Sequence, residues 1–485
     1  LIMQKRRLKT LFATVLFLGV LLSSMVSCTS DGIVTNPGND LRFSTDTLTF
    51  DTLFSTVGST TSWIRIRNTS SNTVRIASIT LKSGGTSGFH INLDGESNTS
   101  FTDVDIPAHD SLFLFVQVNT SKQGASSPVK VTDAVMFDTD GPRKQIVLEA
   151  WSWDAVFWKN KVITSDTTLT PTMPIVVYDS LVVAENATLT ILPGTKIYFH
   201  DGAYLKVRGR LMAVGTLDAP IQFRGDRLDY ILPEYPYDYE SGQWYYVQLA
   251  PTSFNNRLEY VDIHGAYYGI IADSSSLDQP KLKMYNSMIH NMVYTCLWSN
   301  TSNIEIGNCQ LTNSGSYTVA QVGGNSSFIH CTIANYQAGR DGPALILVNY
   351  LNDSKDTSII RAYPMSADFR NCIVFGNRTD EVGLGKRNNI AWAASFWNSL
   401  LRSTSIPVSL ASVTFCKYAT DAKFLKLGGE NDKYVFDFRL DSISPARNIG
   451  STSYLTTYPT DKNGIARTID GKPDAGAYEW VQGQK

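Results

Sequence analysis

The chain has 485 residues, with 42 Lys and Arg against 44 Asp and Glu, for a formal net charge of −2. That length exceeds one compact core and implies two or three units. The near-neutral balance excludes a nucleic-acid surface built on excess positive charge. Plentiful Gly, Ser, Thr and Asn, with no helical period after residue 30, point to an all-β protein.

The first element is a leader. Lys5, Arg6, Arg7 and Lys9 precede an apolar run from Leu11 to Leu22, of signal-peptide length and short for a membrane span. Ser24-Met25-Val26-Ser27-Cys28 follows directly and resembles the lipobox of a bacterial lipoprotein. The resemblance implies cleavage before Cys28, acylation of Cys28 and a lipid anchor in the cell envelope, on the outer membrane or cell surface. The alternative is an ordinary secretory signal with an incidental cysteine. Residues 1–27 are then the signal peptide, and residues 28–41 a tether rich in Ser, Gly and Asn. Removal of four basic residues leaves 38 against 44, a net charge of −6. The lipid rather than surface charge therefore supplies the membrane contact, and no nucleic acid is expected as a partner.

Residues 42–152 read as a β-sandwich. Trp63-Ile64-Arg65-Ile66-Arg67, Val74 to Leu81, Leu112 to Val118 and Ile146-Val147-Leu148 alternate with period two, separated by Asn68 to Asn72, Ser83-Gly84-Gly85 and Asp140-Gly141-Pro142. The order of strands and turns resembles the immunoglobulin-like domains related to abnormal-spindle and choice-of-anchor modules. Residues 153–165 read as a linker.

From residue 166 to 415 the chain repeats. Asn286-Ser287-Met288-Ile289, Asn308-Cys309-Gln310-Leu311, His330-Cys331-Thr332-Ile333, Asn371-Cys372-Ile373-Val374 and Asn398-Ser399-Leu400-Leu401 share one phrase. A repeat in the low twenties, built of short strand-like runs closed by Asn and Gly, predicts a solenoid with one coil per repeat. Cys309, Cys331 and Cys372 share one repeat position, which predicts an inward stack of unpaired thiols. Together with Ala187 to Phe199, Leu205 to Leu211 and Ile221-Gln222-Phe223, these runs resemble right-handed parallel β-helices of the pectin-lyase-like superfamily. Residues 416–485, with Asp470-Gly471-Lys472-Pro473-Asp474-Ala475-Gly476-Ala477-Tyr478-Glu479, resemble the closing segment of bacterial surface β-helix proteins and are expected to cap the solenoid. Its Asp and Gly lack the spacing of a calcium loop, and no metal or other cofactor is expected.

Function is less legible than fold, because such coils serve enzymes, adhesins and scaffolds alike. Enzymes of the resembled superfamily would show stacked carboxylates or a cationic base on adjacent coils. The positions beside the repeated Asn are mostly Ser, Cys, Met, Gln and Thr, so no catalytic residue is assigned. Asp262 and His264 come nearest, with His290 and His330 on later coils. The insertion from Asp229 to Tyr246 is the better candidate, since aromatic faces with polar neighbours suit sugar stacking. Tyr230, Tyr235, Tyr237 and Tyr239 are the predicted glycan-binding residues, with Tyr235, Tyr237 and Tyr239 exposed and Trp244 buried. A second insertion, from Gln337 to Ala367, carries Arg340, Asp341, Asp353, Asp356 and Arg361. The expectation is a non-enzymatic, monomeric envelope lipoprotein for surface display, adhesion or polysaccharide binding. The alternatives are a polysaccharide lyase or glycoside hydrolase and a structural spacer.

Overall fold

The structure, a computed structural model, describes residues 32–232, 234–352, 360–387, 389–428 and 434–484. The leader, Cys28, Asp353 and Asp356 lie outside the described residues. Among the described residues there is no α-helix and no helix long and apolar enough to cross a membrane. The chain divides into two units, Leu1–Trp153 and Asp154–Lys485.

The first unit holds two sheets, of six and five strands among the described residues. Strand Ser62–Asn68 shows why they form: Ile64 and Ile66 are buried while Arg65 and Arg67 on the opposite face are exposed. Ile64, Ile66, Leu114 and Val116 of one sheet share a core with Val74, Ile76, Val135, Phe137 and Leu148 of the other. Within the expected tether, the described residues include a short strand. Ile33 and Val34 pair in parallel with Thr73 and Val74, and Leu41 is buried. Leu41 gains by burial what a free tether would forgo, while Ile33 stays exposed and is held by its backbone pairing.

The second unit is built of parallel strands in a sheet of 18 and a sheet of 10 among the described residues. The registers resolve these into three ladders, and each turn of the chain visits all three. Ladder I contains Met288–Met292, Gln310–Ser314, Thr332–Asn335 and Ile373–Gly376. Ladder II contains Thr295–Asn300, Val319–Val322, Leu345–Val348 and Val382–Gly385. Ladder III contains Leu282–Tyr285, Asn303–Gly307, Gly324–Ile329, Met365–Arg370 and Trp392–Trp397. This is the repeat pattern of a solenoid. Its core is stacked by residue type: Ile263, Ile289, Leu311, Ile333, Val374 and Leu401 are successive register partners on ladder I. On ladder III, Phe328, Phe369 and Phe396 stack with ring centroids 4.7 and 5.0 Å apart.

The repeated phrase is the corner between ladders III and I. Asn286, Asn308, His330, Asn371 and Asn398 all have φ between 48° and 53°. Asn tolerates this left-handed conformation better than most side chains. The next residue, Ser287, Cys309, Cys331, Cys372 or Ser399, is buried. The three thiols are unpaired, as the repeat predicts. The serines at this position serve the backbone: Ser287 Oγ accepts the Val261 N–H and Ser399 Oγ the Cys372 N–H, each at 3.0 Å.

Two boundaries differ from expectation. The linker 153–165 contains a strand, Val156–Ile163, paired in parallel with Ile175–Val183. As the terminal strand of the ladder it exposes most of its residues, which is why it reads as polar linker. The C-terminal segment, expected as an end cap, runs back along the outward face of ladder I. That face is apolar on the later coils: Ala334, Ile373, Phe375 and Leu400 share a core with Phe424, Phe438, Ala446, Ala477 and Tyr478. The corner asparagines hold the segment in place. Asn308 Nδ2 donates to the Thr460 carbonyl at 2.8 Å, Asn371 Nδ2 to Ser451 at 3.0 Å and Asn398 Nδ2 to Ile449 at 3.1 Å. Gly476 has φ +99° and donates its N–H to the Asn371 carbonyl at 2.8 Å. A Cβ there would lie 2.7 Å from Ile373, so only glycine lets the backbone lie this close.

Candidate functional site: a cleft on ladder I

Where the returning segment stops short of full coverage, ladder I forms the floor of a cleft. Met288, His290, Gln310 and Thr312 line the floor, Tyr239 one wall, and Phe436, Arg439, Lys462 and Tyr478 the other, around a cavity of about 350 Å³. It continues past Asn291, Asn313 and Tyr434 into a space of about 500 Å³ bounded by Tyr235 and Glu240.

The near wall is the aromatic insertion. Its return is fixed by Trp244, fully buried as predicted, which stacks on Phe199 at 4.3 Å and donates its indole N–H to the His264 carbonyl at 2.9 Å. Inside the loop, Tyr235 Oη donates to Glu240 at 2.5 Å and Arg227 lies 4.0 Å from the Tyr237 ring centroid. The predicted exposure of three rings is therefore not found. Tyr235, Tyr237 and Tyr239 are half-buried: Tyr434 covers Tyr235, Arg227 covers Tyr237, and Tyr239 lies beside Tyr235. Tyr235 stacks on Tyr434 of the C-terminal segment at 4.0 Å. Tyr230 is exposed and does not line the cleft. Of the four predicted residues, Tyr235 and Tyr239 face the cleft.

Beside the floor, on the same ladder, the structure brings together Asp262, His264 and His290, of which His290 lines the cleft. Strand Val261–His264 puts Asp262 and His264 on one face by its period of two. The register sets His290 beside His264, rings 4.8 Å apart and nearly parallel. Asp262 Oδ1 lies 3.1 Å from His264 Nδ1 and 3.1 Å from His290 Nε2. Asp238, from the insertion, contacts His264 Nε2 at 2.8 Å and Arg224 at 2.7 Å. The result is an alternating row of Arg224, Asp238, His264, Asp262 and His290. Burial alone would lower the pKa of His264, but Asp262 and Asp238 outweigh it and raise it to about 9. Burial likewise opposes ionisation of Asp262, but His264 and His290 hold it well below the usual carboxylate range. Between two carboxylates His264 is thus an imidazolium at neutral pH.

His330 does not join this row. It occupies a corner, buried, and accepts from Asn371 Nδ2 at 2.9 Å. Arg340 of the second insertion is buried against Glu381 and Asn377 and is a packing group. Sequence reasoning places Asp238 among the polar neighbours of the insertion's rings but not against His264, and it misses Tyr434, Phe436 and Lys462. Lys462-Asn463-Gly464 is visible as a turn, but no periodicity connects it to a strand 170 residues earlier.

No protein-family model matches the chain, and no curated protein matches it. Among solved structures it is similar to a family 123 glycoside hydrolase from Clostridium perfringens, described in connection with glycolipid glycan hydrolysis. The match has 9% identity, covers 24% of this chain and 26% of that one, and has a TM-score of 0.17. The chain therefore spans about a quarter of that protein, and a likeness so slight carries no argument about fold or activity.

Proposed function

We propose that this is a bacterial envelope lipoprotein that binds a glycan in the ladder I cleft. The observation that carries this reading is the cleft itself, with aromatic walls from Tyr239, Tyr434 and Phe436 beside a polar floor of His290, Gln310 and Thr312. Apolar walls with a few convergent polar groups are the usual form of a small-ligand site, and rings with hydroxyl and amide neighbours suit the faces and rims of pyranoses. On this reading the first unit is an immunoglobulin-like spacer, the second a right-handed parallel β-helix of the pectin-lyase-like kind, and the acylated Cys28 the anchor. The protein is expected to act as a monomer. A printed array of neutral and acidic glycans tests the binding, and an array on which the protein binds nothing counts against it. Cys28→Ala is expected to abolish fatty-acid labelling and release the protein from the membrane fraction; undiminished retention would place the anchor elsewhere.

A carbohydrate-active enzyme is the second reading, favoured by one observation. His290 sits on the cleft floor with Nε2 held by Asp262, the geometry of an oriented general base or acid. The other carboxylates at the cleft are engaged, Glu240 with Tyr235 and Asp437 with Arg439. Release of reducing ends or of unsaturated uronates from any polysaccharide, lost in His290→Gln, would establish this reading over simple binding.

A further inference from the structure

We infer that Asp262, His264 and His290 form a binding site for a divalent transition metal of the Zn²⁺ class at the edge of the cleft, which His290 lines. The donor set is one carboxylate and two imidazoles from two successive coils, with all three ligand atoms within 4.8 Å of one another. Ligands about 2.0–2.2 Å from a tetrahedral ion stand about 3.4 Å apart. The two nitrogens here are each 3.1 Å from Asp262 Oδ1, and an ion entering among them takes the place of the proton that His264 Nδ1 directs at Asp262.

The surroundings point the same way. A histidine that ligates through one nitrogen usually gives the other to a carboxylate, which fixes its tautomer and ring orientation. His264 turns Nδ1 to the cluster and Nε2 to Asp238, and Asp238 is itself held by Arg224. His264 is almost fully covered, whereas the side chains of Asp262 and His290 are 21% and 22% exposed. Three protein ligands with one open side are the pattern of a metal site that receives a ligand or water. Mixed nitrogen and oxygen donors suit Zn²⁺, Co²⁺ or Ni²⁺ better than Ca²⁺ or Mg²⁺. The other group of carboxylates, Asp470, Asp474 and Glu479, offers a contrast. Asp470 is paired with Arg447 and Glu479 with Arg467, so cations already occupy it.

This inference stands apart from the glycan reading, since the metal would bind with or without a sugar. The test is calorimetric titration of Zn²⁺ into chelator-treated protein, with the visible spectrum of the Co²⁺ form as a second measurement. One equivalent is expected to bind at micromolar concentration and to raise the melting temperature, and Co²⁺ is expected to give the bands of a four- or five-coordinate ion. His290→Gln, at a partly exposed position, is expected to remain folded and lose at least tenfold in affinity. Asp238→Asn is expected to lose about tenfold through its orienting role. His200→Ala, away from the cluster, is expected to bind as the wild type does. Absence of stoichiometric Zn²⁺ binding, or equal binding by His290→Gln, would overturn the inference.

Discussion

Arg467→Met is expected to destabilise the second unit by about 3–5 kcal/mol, the usual cost of breaking a buried ion pair by removing one partner. The guanidinium of Arg467 and the carboxylate of Glu479 are both fully buried and meet at 2.6 Å. Arg467 also donates to Asn308 Oδ1 at 2.7 Å, so one side chain joins the C-terminal segment to a corner of the solenoid. Without it, Glu479, whose carboxyl burial already pushes up to about 8, must take up a proton or stay buried as an unpaired charge beside Asp474. Pairing the change with Glu479→Gln should restore part of the loss, because it removes the orphaned charge. Differential scanning calorimetry of the three variants checks this. Proteolysis should cut the C-terminal segment of Arg467→Met first. An unchanged melting profile would mean that the segment does not depend on this pair.

Phe369→Ala is expected to cost about 3–5 kcal/mol. Phe369 is fully buried in the middle of the ladder III stack, with Phe328 on one side and Phe396 on the other. Stacked coils leave little freedom to collapse around the gap, since each strand is held in register by both neighbours. Phe369→Leu should recover most of the loss by refilling the space. A urea midpoint for Phe369→Ala close to that of the wild type would show that the coils relax more than the packing implies.

The repeat was legible because one backbone demand recurs: a left-handed corner, then a small buried residue, then an aliphatic. Asn286, Asn308, Asn371 and Asn398 announce that corner. Tyr260 and Phe415 occupy it too, with φ of 48° and 53°, but their side chains give no such signal. The terminal strand Val156–Ile163 was unreadable for a related reason. A strand with solvent on most of its surface has no alternation to display, and Lys159-Asn160-Lys161 reads as linker. The closing segment could be read as a motif but not placed. Its partners, Asn308 and Asn371, are 80 to 159 residues away, and the asparagines looked sufficiently explained by their backbone conformation.

The candidate site was half legible. Asp262, His264 and His290 follow from a strand period of two and a coil of the repeat. Asp238, which orients His264 and ties the insertion to ladder I, lies in an aperiodic loop and gives no signal of its target. The tyrosines of the insertion could be seen as a group. That Tyr235 would lie against Tyr434 could not, since Tyr434 arrives on a segment crossing the solenoid from its far end.

The cleft between the insertion and the C-terminal segment is the proposed glycan site. The most direct measurement takes the ligand selected by the array and compares its affinity for wild type, Tyr239→Ala and Tyr434→Ala by isothermal titration, with melting temperatures recorded alongside. Each variant removes one aromatic wall of the cleft, and each is expected to bind at least tenfold more weakly, a loss of about 1.4 kcal/mol or more, while remaining folded. Wild-type affinity in both variants would contradict the account and move the binding surface away from the cleft.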